Sequence, residues 1–157
     1  KKKYASVERE IQQLLESTNA LQNKLLDQVR ADAEGFQPLS RAYAIPREDP
    51  TRAAVLQDAA ETACTAPLEI MALCAAALSA AGRLAEIGSR LAVSDAGCAA
   101  AILRGALEAA ALNVLVNTKT MTDRSAADHL NARCFALLDQ GRTDGERIFC
   151  AVRDQLV

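Results

Sequence analysis

The 157-residue chain has almost nothing large and flat in it: aromatic residues make up 3% and tryptophan is absent. That excludes a core built on aromatic plugs. With half of the residues apolar, the interior must instead be filled by close packing of Ala, Leu and other small or branched side chains. Proline (four) and glycine (seven) are sparse and β-branched runs are scarce, which removes the turn density that an all-β fold requires. A single histidine, His129, leaves no histidine cluster for a metal. The five cysteines, Cys64, Cys74, Cys98, Cys134 and Cys150, form no C-x-x-C pair, and most lie among Ala and Leu as small hydrophobes do. Neither a disulfide framework nor a metal site is expected, and a reducing cytoplasmic setting is. No signal peptide is expected, and no uncharged apolar run reaches membrane-spanning length, because Glu69 and Arg83 interrupt the run around Leu68–Gly82. A net charge of −2 with interleaved signs argues against nucleic-acid and membrane partners, the one basic run being Lys1-Lys2-Lys3.

What is present is helical periodicity. The spacing predicts one all-α domain over residues 1–157, a bundle of long, partly kinked helices. Val7, Ile11, Leu14, Thr18, Leu21, Leu25, Val29, Asp32 and Phe36 trace one stripe at three- and four-residue steps. Asp32 stands out in it, because a carboxylate between Val29 and Phe36 must be solvated, paired or functional. Gly35 and Pro38 are expected to kink or end this helix. The second helix is expected to start with Asp49 as cap and Pro50 at the first position, to bend at Pro67 and to end near Gly88. Ser94 or Asp95 should cap the third helix and Thr122 or Asp123 the last, which Gly141 and Gly145 are expected to break.

The third helix, V93-SDAGCAAAILRGALEAAALNVLV-N117, is the unusual one. Gly97, Ala101, Gly105 and Ala109 form a ridge almost without side chains, which admits a close neighbour. The same four-residue series runs on into Asn113 and Asn117. Asp95 precedes Asn113 by eighteen residues, five full turns, so both point the same way but lie about 27 Å apart along the axis. They meet in one site only through other helices or an antiparallel second copy. A helix cap for Asp95 and inter-helix hydrogen bonds for the two amides are the plain alternatives.

Taken together and in order, KKKYASVE, DAEGF, RAAVLQDAAETACTAPLEI, VSDAG and NVLVNTKTMTD resemble the formiminotetrahydrofolate cyclodeaminase family. That family includes the carboxy-terminal domain of formiminotransferase-cyclodeaminase and stand-alone bacterial methenyltetrahydrofolate cyclohydrolases. The resemblance covers nearly the whole chain and implies an all-helical homodimeric enzyme acting on a reduced folate, with or without a polyglutamate tail. The family's Gly-rich amino-terminal helix is not represented, and Gly88-Ser89-Arg90-Leu91 replaces its Gly-Asn before the Ser-Asp pair.

The implied reaction cyclises 5-formiminotetrahydrofolate to the 5,10-methenyl compound with loss of ammonia. It needs a base, an acid and a carboxylate to stabilise the cationic product, with no cofactor beyond the folate. Asp32 and Asp95 are the expected proton-transfer and cation-stabilising groups. Asn113 and Asn117 would bind the substrate or orient the carboxylates. Lys2, Lys3, Tyr4 and Arg52 would hold the glutamate tail or the para-aminobenzoyl region. The alternatives are hydrolysis of the methenyl bridge and a non-catalytic helical dimerisation module.

Overall fold

The computed structural model describes residues 4–157 as four long helices with no strand among them: α1 (Glu8–Tyr43), α2 (Arg52–Ile87), α3 (Val93–Lys119) and α4 (Arg124–Leu156). A short 3-10 turn, Arg90–Ala92, leads into α3. The helix α2 is the centre. It packs against each of the other three; α3 and α4 also pack on each other, while α1 rests chiefly on α2. Its sequence makes this possible, because Ala59, Ala60, Ala63, Cys64, Ala66, Cys74, Ala75, Ala80 and Ala81 are all buried and let neighbours approach from several sides. The larger buried side chains, Leu68, Met71, Leu78, Leu107, Val114 and Ile148, fill the space between.

Pro67 lies inside α2, which continues past it to Ile87 as expected. Several expected boundaries move: α1 runs through Pro38 and ends only at Tyr43, α3 begins at Val93 with no side-chain cap from Ser94 or Asp95, and α4 runs through Gly141 and Gly145 without a break. The two glycines serve close approach instead. A Cβ on Gly141 would lie 2.4 Å from Leu107 Cδ1, and one on Gly145 2.9 Å from Arg104 Cβ. Asp49 is not the cap of α2: Thr51 holds that position without a side-chain cap hydrogen bond, and the Asp49 carboxylate instead accepts from the Thr51 amide (2.8 Å) and hydroxyl (2.7 Å), which holds it below the usual carboxylate range. The helix proper begins at Arg52. At α4 the Asp123 side chain accepts from the Ala126 amide as expected, and Gln57 Oε1 accepts from the Thr122 and Asp123 amides. Gly88 follows α2 with φ −72°. Its lack of a side chain answers a close approach, since a Cβ there would come 2.4 Å from the Leu84 carbonyl oxygen.

The packed stripe of α1 also differs from the expected one. It follows Val7, Ile11, Leu14, Thr18, Leu21, Leu25, Gln28, Gly35, Leu39 and Ala42. From Val7 to Ala42 is thirty-five residues, five sevens. The expected stripe kept the 3.6-residue period of an isolated helix, whereas a helix lying along another follows a period of 3.5. Val29 (71% exposed) and Phe36 (51%) therefore fall off the seam onto the outer surface. Asp32 stays in phase with the seam but is exposed, its neighbour Ala31 taking the half-buried place.

Two helices, α2 and the segment Arg90–Lys119, are long and apolar enough to cross a membrane by length and composition alone, which refines the reading of uncharged runs. The apolar window of α2 is 61% buried in the bundle, as a core helix is, but that of α3 is only 28% buried. The outward face of α3 carries Ile102 (72% exposed), Leu112 (68%) and Val116.

Gly145→Ala should lower the unfolding free energy by about 1–3 kcal/mol, because no rotamer relieves a clash between two Cβ atoms. Gly35→Ala, whose Cβ would make only an ordinary 3.7 Å contact with the Thr62 carbonyl, should leave it unchanged or raise it by about 0.5–1 kcal/mol. Urea titration followed by circular dichroism measures both.

Candidate active site

A cleft of about 550 Å³ opens where the first turns of α1 and α3 meet the last turns of α2. Its floor and walls are apolar: Ile11 from α1, Ala81 and Leu84 from α2, Ala92 from the 3-10 turn, and Ala96 and Ala99 from the start of α3. Tyr4, Glu8 and Gln12 stand on one side, Ser89 and Asp95 on the other. Such a site, apolar with a few convergent polar groups, suits a flat organic ligand. Glu8 and Asp95 each sit in the first turn of a helix, where the positive end of the helix dipole favours a carboxylate. The 3-10 turn beneath Asp95 is closed by Ser89, whose hydroxyl accepts from the Leu91 amide at 3.3 Å.

One tie holds the α1 wall in place. Arg83 of α2 donates to both carboxylate oxygens of Glu10, at 2.5 and 3.0 Å, and to Glu86 at 2.7 Å. Among the described residues this is the one ion pair joining α1 to another helix. The guanidinium holds the Glu10 carboxyl below its usual range, and Glu10 in turn raises Arg83. Both side chains are solvent-exposed, so the pair adds geometric definition more than stability.

The residues expected from the sequence divide between the two ends of the molecule. Tyr4 and Asp95 line the cleft together. Asp32 does not: it is twenty residues beyond Gln12 on α1, about 30 Å along the axis. Arg52 opens α2 twenty-nine residues before Ala81, about 43 Å away, and its Nε donates to the Ile45 carbonyl at 2.9 Å, tying down the α1–α2 linker. Asn113 is exposed on α3. Asn117 is buried, and its Nδ2 donates to the Ala63 carbonyl at 3.1 Å, the inter-helix hydrogen bond that was the plain alternative. Lys2 and Lys3 lie outside the described residues.

The ridge of α3 divides for a geometric reason. A strict four-residue series turns by about 40° per step, so its two ends face different neighbours. A Cβ on Gly97 would lie 2.8 Å from Val152 of α4, Asn117 meets α2, and Ala101, Gly105 and Ala109 between them face outward. The periodicity missed Glu8, Gln12 and Ser89. Glu8, one turn after Tyr4 within KKKYASVE, was the findable one.

A second, more polar cleft of about 690 Å³ lies at the far end between α2 and α4, where Glu61, Asp123 and His129 meet. Among the described residues no group of His, Cys, Asp and Glu has the arrangement of a metal site. Burial pushes the Cys64 thiol up to about 11 and raises Cys74 and Cys134 as well, so these three are packing groups with no nucleophilic character.

Comparison with known proteins adds to this geometry. Residues 1–136 match the family model described as formiminotransferase-cyclodeaminase. The chain is 34% identical over 160 aligned positions to the methenyltetrahydrofolate cyclohydrolase of Methylorubrum extorquens, covering 99% of this chain and 77% of that protein. It is 29% identical over 147 positions to the formimidoyltransferase-cyclodeaminase of Sus scrofa, covering 91% of this chain but only 27% of that longer protein. Among solved structures, formiminotetrahydrofolate cyclodeaminase from Thermotoga maritima has the same fold, with a TM-score of 0.82, 24% identity and coverage of 99% of this chain and 74% of that one.

Asn117→Ala should cost about 1–3 kcal/mol of stability by leaving the buried Ala63 carbonyl without its donor. Asn19→Ala, exposed on α1, should stay within about 0.5 kcal/mol. Denaturant midpoints of the two variants check the contrast.

Proposed function

Because the chain belongs to the formiminotransferase-cyclodeaminase family, we propose that it is a folate one-carbon enzyme with the cleft around Asp95 as its substrate site. The observation carrying this is that Tyr4 of KKKYASVE and Asp95 of VSDAG, ninety-one positions apart, line one apolar cleft at the converging ends of three helices. The para-aminobenzoyl and pterin rings match its apolar walls. A carboxylate at its rim stabilises positive charge spread over the N5–carbon–N10 bridge. Lys2 and Lys3, adjacent in sequence to Tyr4, are assigned the anionic glutamate tail.

Of the two reactions, hydrolysis of 5,10-methenyltetrahydrofolate to the 10-formyl compound has the stronger support, from the 34% identical relative of comparable length that bears that name. Water adds to the bridge carbon, the carbon–N5 bond breaks with its electron pair going to N5, and one proton is released. Cyclodeamination of 5-formiminotetrahydrofolate is the second reading, supported by the Sus scrofa relative. There N10 attacks the formimino carbon and ammonia leaves. The electrophile in both is the substrate's own amidine carbon, so neither step requires a cofactor, and the cytoplasm is the setting we assign.

We also propose a homodimer formed through the outward face of α3. The midpoint between Asp95 and Asn113 is position 104, beside Gly105, where a Cβ would meet nothing within 4 Å. A two-fold axis there pairs α3 with an antiparallel copy and sets Asn113 of the partner subunit against Asp95. It closes the apolar face of α3 and brings the Asn113 end of one α3 to the cleft of the other subunit.

Asp95→Asn should lower kcat by about 100-fold or more, with the helical circular dichroism unchanged. Following loss of methenyl absorbance beside ammonia release from the formimino substrate decides between the reactions; activity within a few fold of the parent removes Asp95 from the mechanism. Sedimentation should give a dimer that Gly105→Leu weakens at least tenfold, and a monomeric parent protein contradicts the α3 interface.

A further inference from the structure

The width of the cleft is fixed by how α1 and α3 each sit on α2, because those two walls do not pack on each other. On the α3 side the placement is firm: Gly97 receives Val152 of α4, and Ala96 and Ala100 are buried. The α1 side is different. Its only fully buried residues, Leu39 and Ala42, lie at the far end, where they join Ala59, Ala60 and Ala127. The bond from Arg52 to the Ile45 carbonyl secures that same end. Before Leu39 no described residue of α1 is fully buried, and the first turn has no side-chain cap. What holds the cleft end is a half-buried seam and one polar tie, the grip of Arg83 on Glu10.

The helix α1 is thus a lever. Leu39 is twenty-nine residues from Glu10, about 43 Å, so a tilt of about 3° at the anchored end moves the cleft wall by about 2 Å. Arg83 adjoins Leu84 of the cleft floor, and Glu10 lies between Glu8 and Gln12 of the wall, so the tie joins wall to floor. It releases at small cost. The Arg83 and Glu10 side chains are 43% and 39% exposed, and an ion pair so wet is weak and screened by salt. Glu86, one turn on along α2, also accepts from Arg83 at 2.7 Å, so the guanidinium keeps a partner when Glu10 leaves.

We propose that Arg83 is a positioning residue for the substrate: by holding Glu10 it latches α1 against α2 at the width that grips the ligand. Release of Glu10 to water, with Arg83 left on Glu86, opens the cleft for entry and exit. Arg83 is not among the lining residues. It acts through the α1 wall, so it governs affinity and leaves the chemical step alone.

The latch rests on the folate reading for its ligand, and the experiment separates the two. The full chain, its Arg83→Glu variant and the Glu10→Arg, Arg83→Glu exchange are assayed with methenyltetrahydrofolate and 5-formiminotetrahydrofolate, beside hydrogen exchange of α1. Arg83→Glu, which sets three carboxylates together, should raise KM about tenfold with kcat within threefold. Exchange should quicken in the turn around Gln12 while the turn around Leu39 keeps its protection. The double variant, which restores an ion pair of reversed sign, should return KM and exchange to within threefold of the parent, a rescue that a damaged fold would not allow. Arg142→Gln, which breaks the exposed pair with Glu108 between α3 and α4, should change neither. If the parent turns over and Arg83→Glu keeps KM within twofold, or the exchange variant is no better than Arg83→Glu, the latch is overturned and the folate reading stands. A parent that neither turns over nor is stabilised by either folate overturns that reading. Faster exchange around Gln12 in Arg83→Glu then still supports the latch, and unchanged exchange overturns it too.

Discussion

The approach distance of α3 and α4 sets the rest of the molecule. Gly97 receives Val152, Gly141 receives Leu107 and Gly145 receives Arg104, each at a separation that leaves no room for a methyl group. Two ion pairs flank this seam, Arg104 with Glu146 and Arg142 with Glu108. With those two helices drawn together, the small-sided α2 can lie against both at once, and the buried thiols and methionine of the central cluster fit where aromatic rings would not. The scarcity of aromatic residues is thus a packing requirement of the fold.

The same arrangement leaves α1 lying chiefly on α2 through a seven-residue repeat, with only its far end, at Leu39 and Ala42, fully buried. A helix held on one side only leaves a groove along its margin, and at the amino-terminal end that groove becomes the cleft. Its polar groups are those that helix beginnings favour: Glu8 and Asp95 in first turns, Ser89 at a cap. The site therefore uses groups already compatible with local helix structure, and the bidentate contact of Arg83 with Glu10 keeps its two walls in register. The outer face of α3 is bare, and a Cβ on Gly105 would meet nothing within 4 Å.

Much of this was legible in order and composition. Helical content, the four long segments, the Asp123 cap and the neutral, packing role of most cysteines follow from propensities and spacings that act over a few residues. Tyr4 and Asp95 were visible as parts of motifs. Boundaries at Pro38, Gly141 and Gly145 were misread because the local cost of proline or glycine is outweighed by burial against a neighbouring helix. The outer positions Val29 and Phe36 were drawn into the α1 stripe because an isolated helix and a paired helix have different periods.

Convergence was the part that no local signal carried. Asn113 and Asn117 read as a pair along a four-residue series, yet one is exposed and the other is bonded to Ala63, because that series winds around the helix. Asp32 and Asp95 read as partners and are separated by about 30 Å along α1, while Glu8, unremarkable in sequence, lines the cleft with Asp95. Which segments are helices could be read from residue order alone, since helix formation depends on contacts within a turn or two. Which polar residues share a site could not, because that depends on the antiparallel register of helices each about 40–55 Å long.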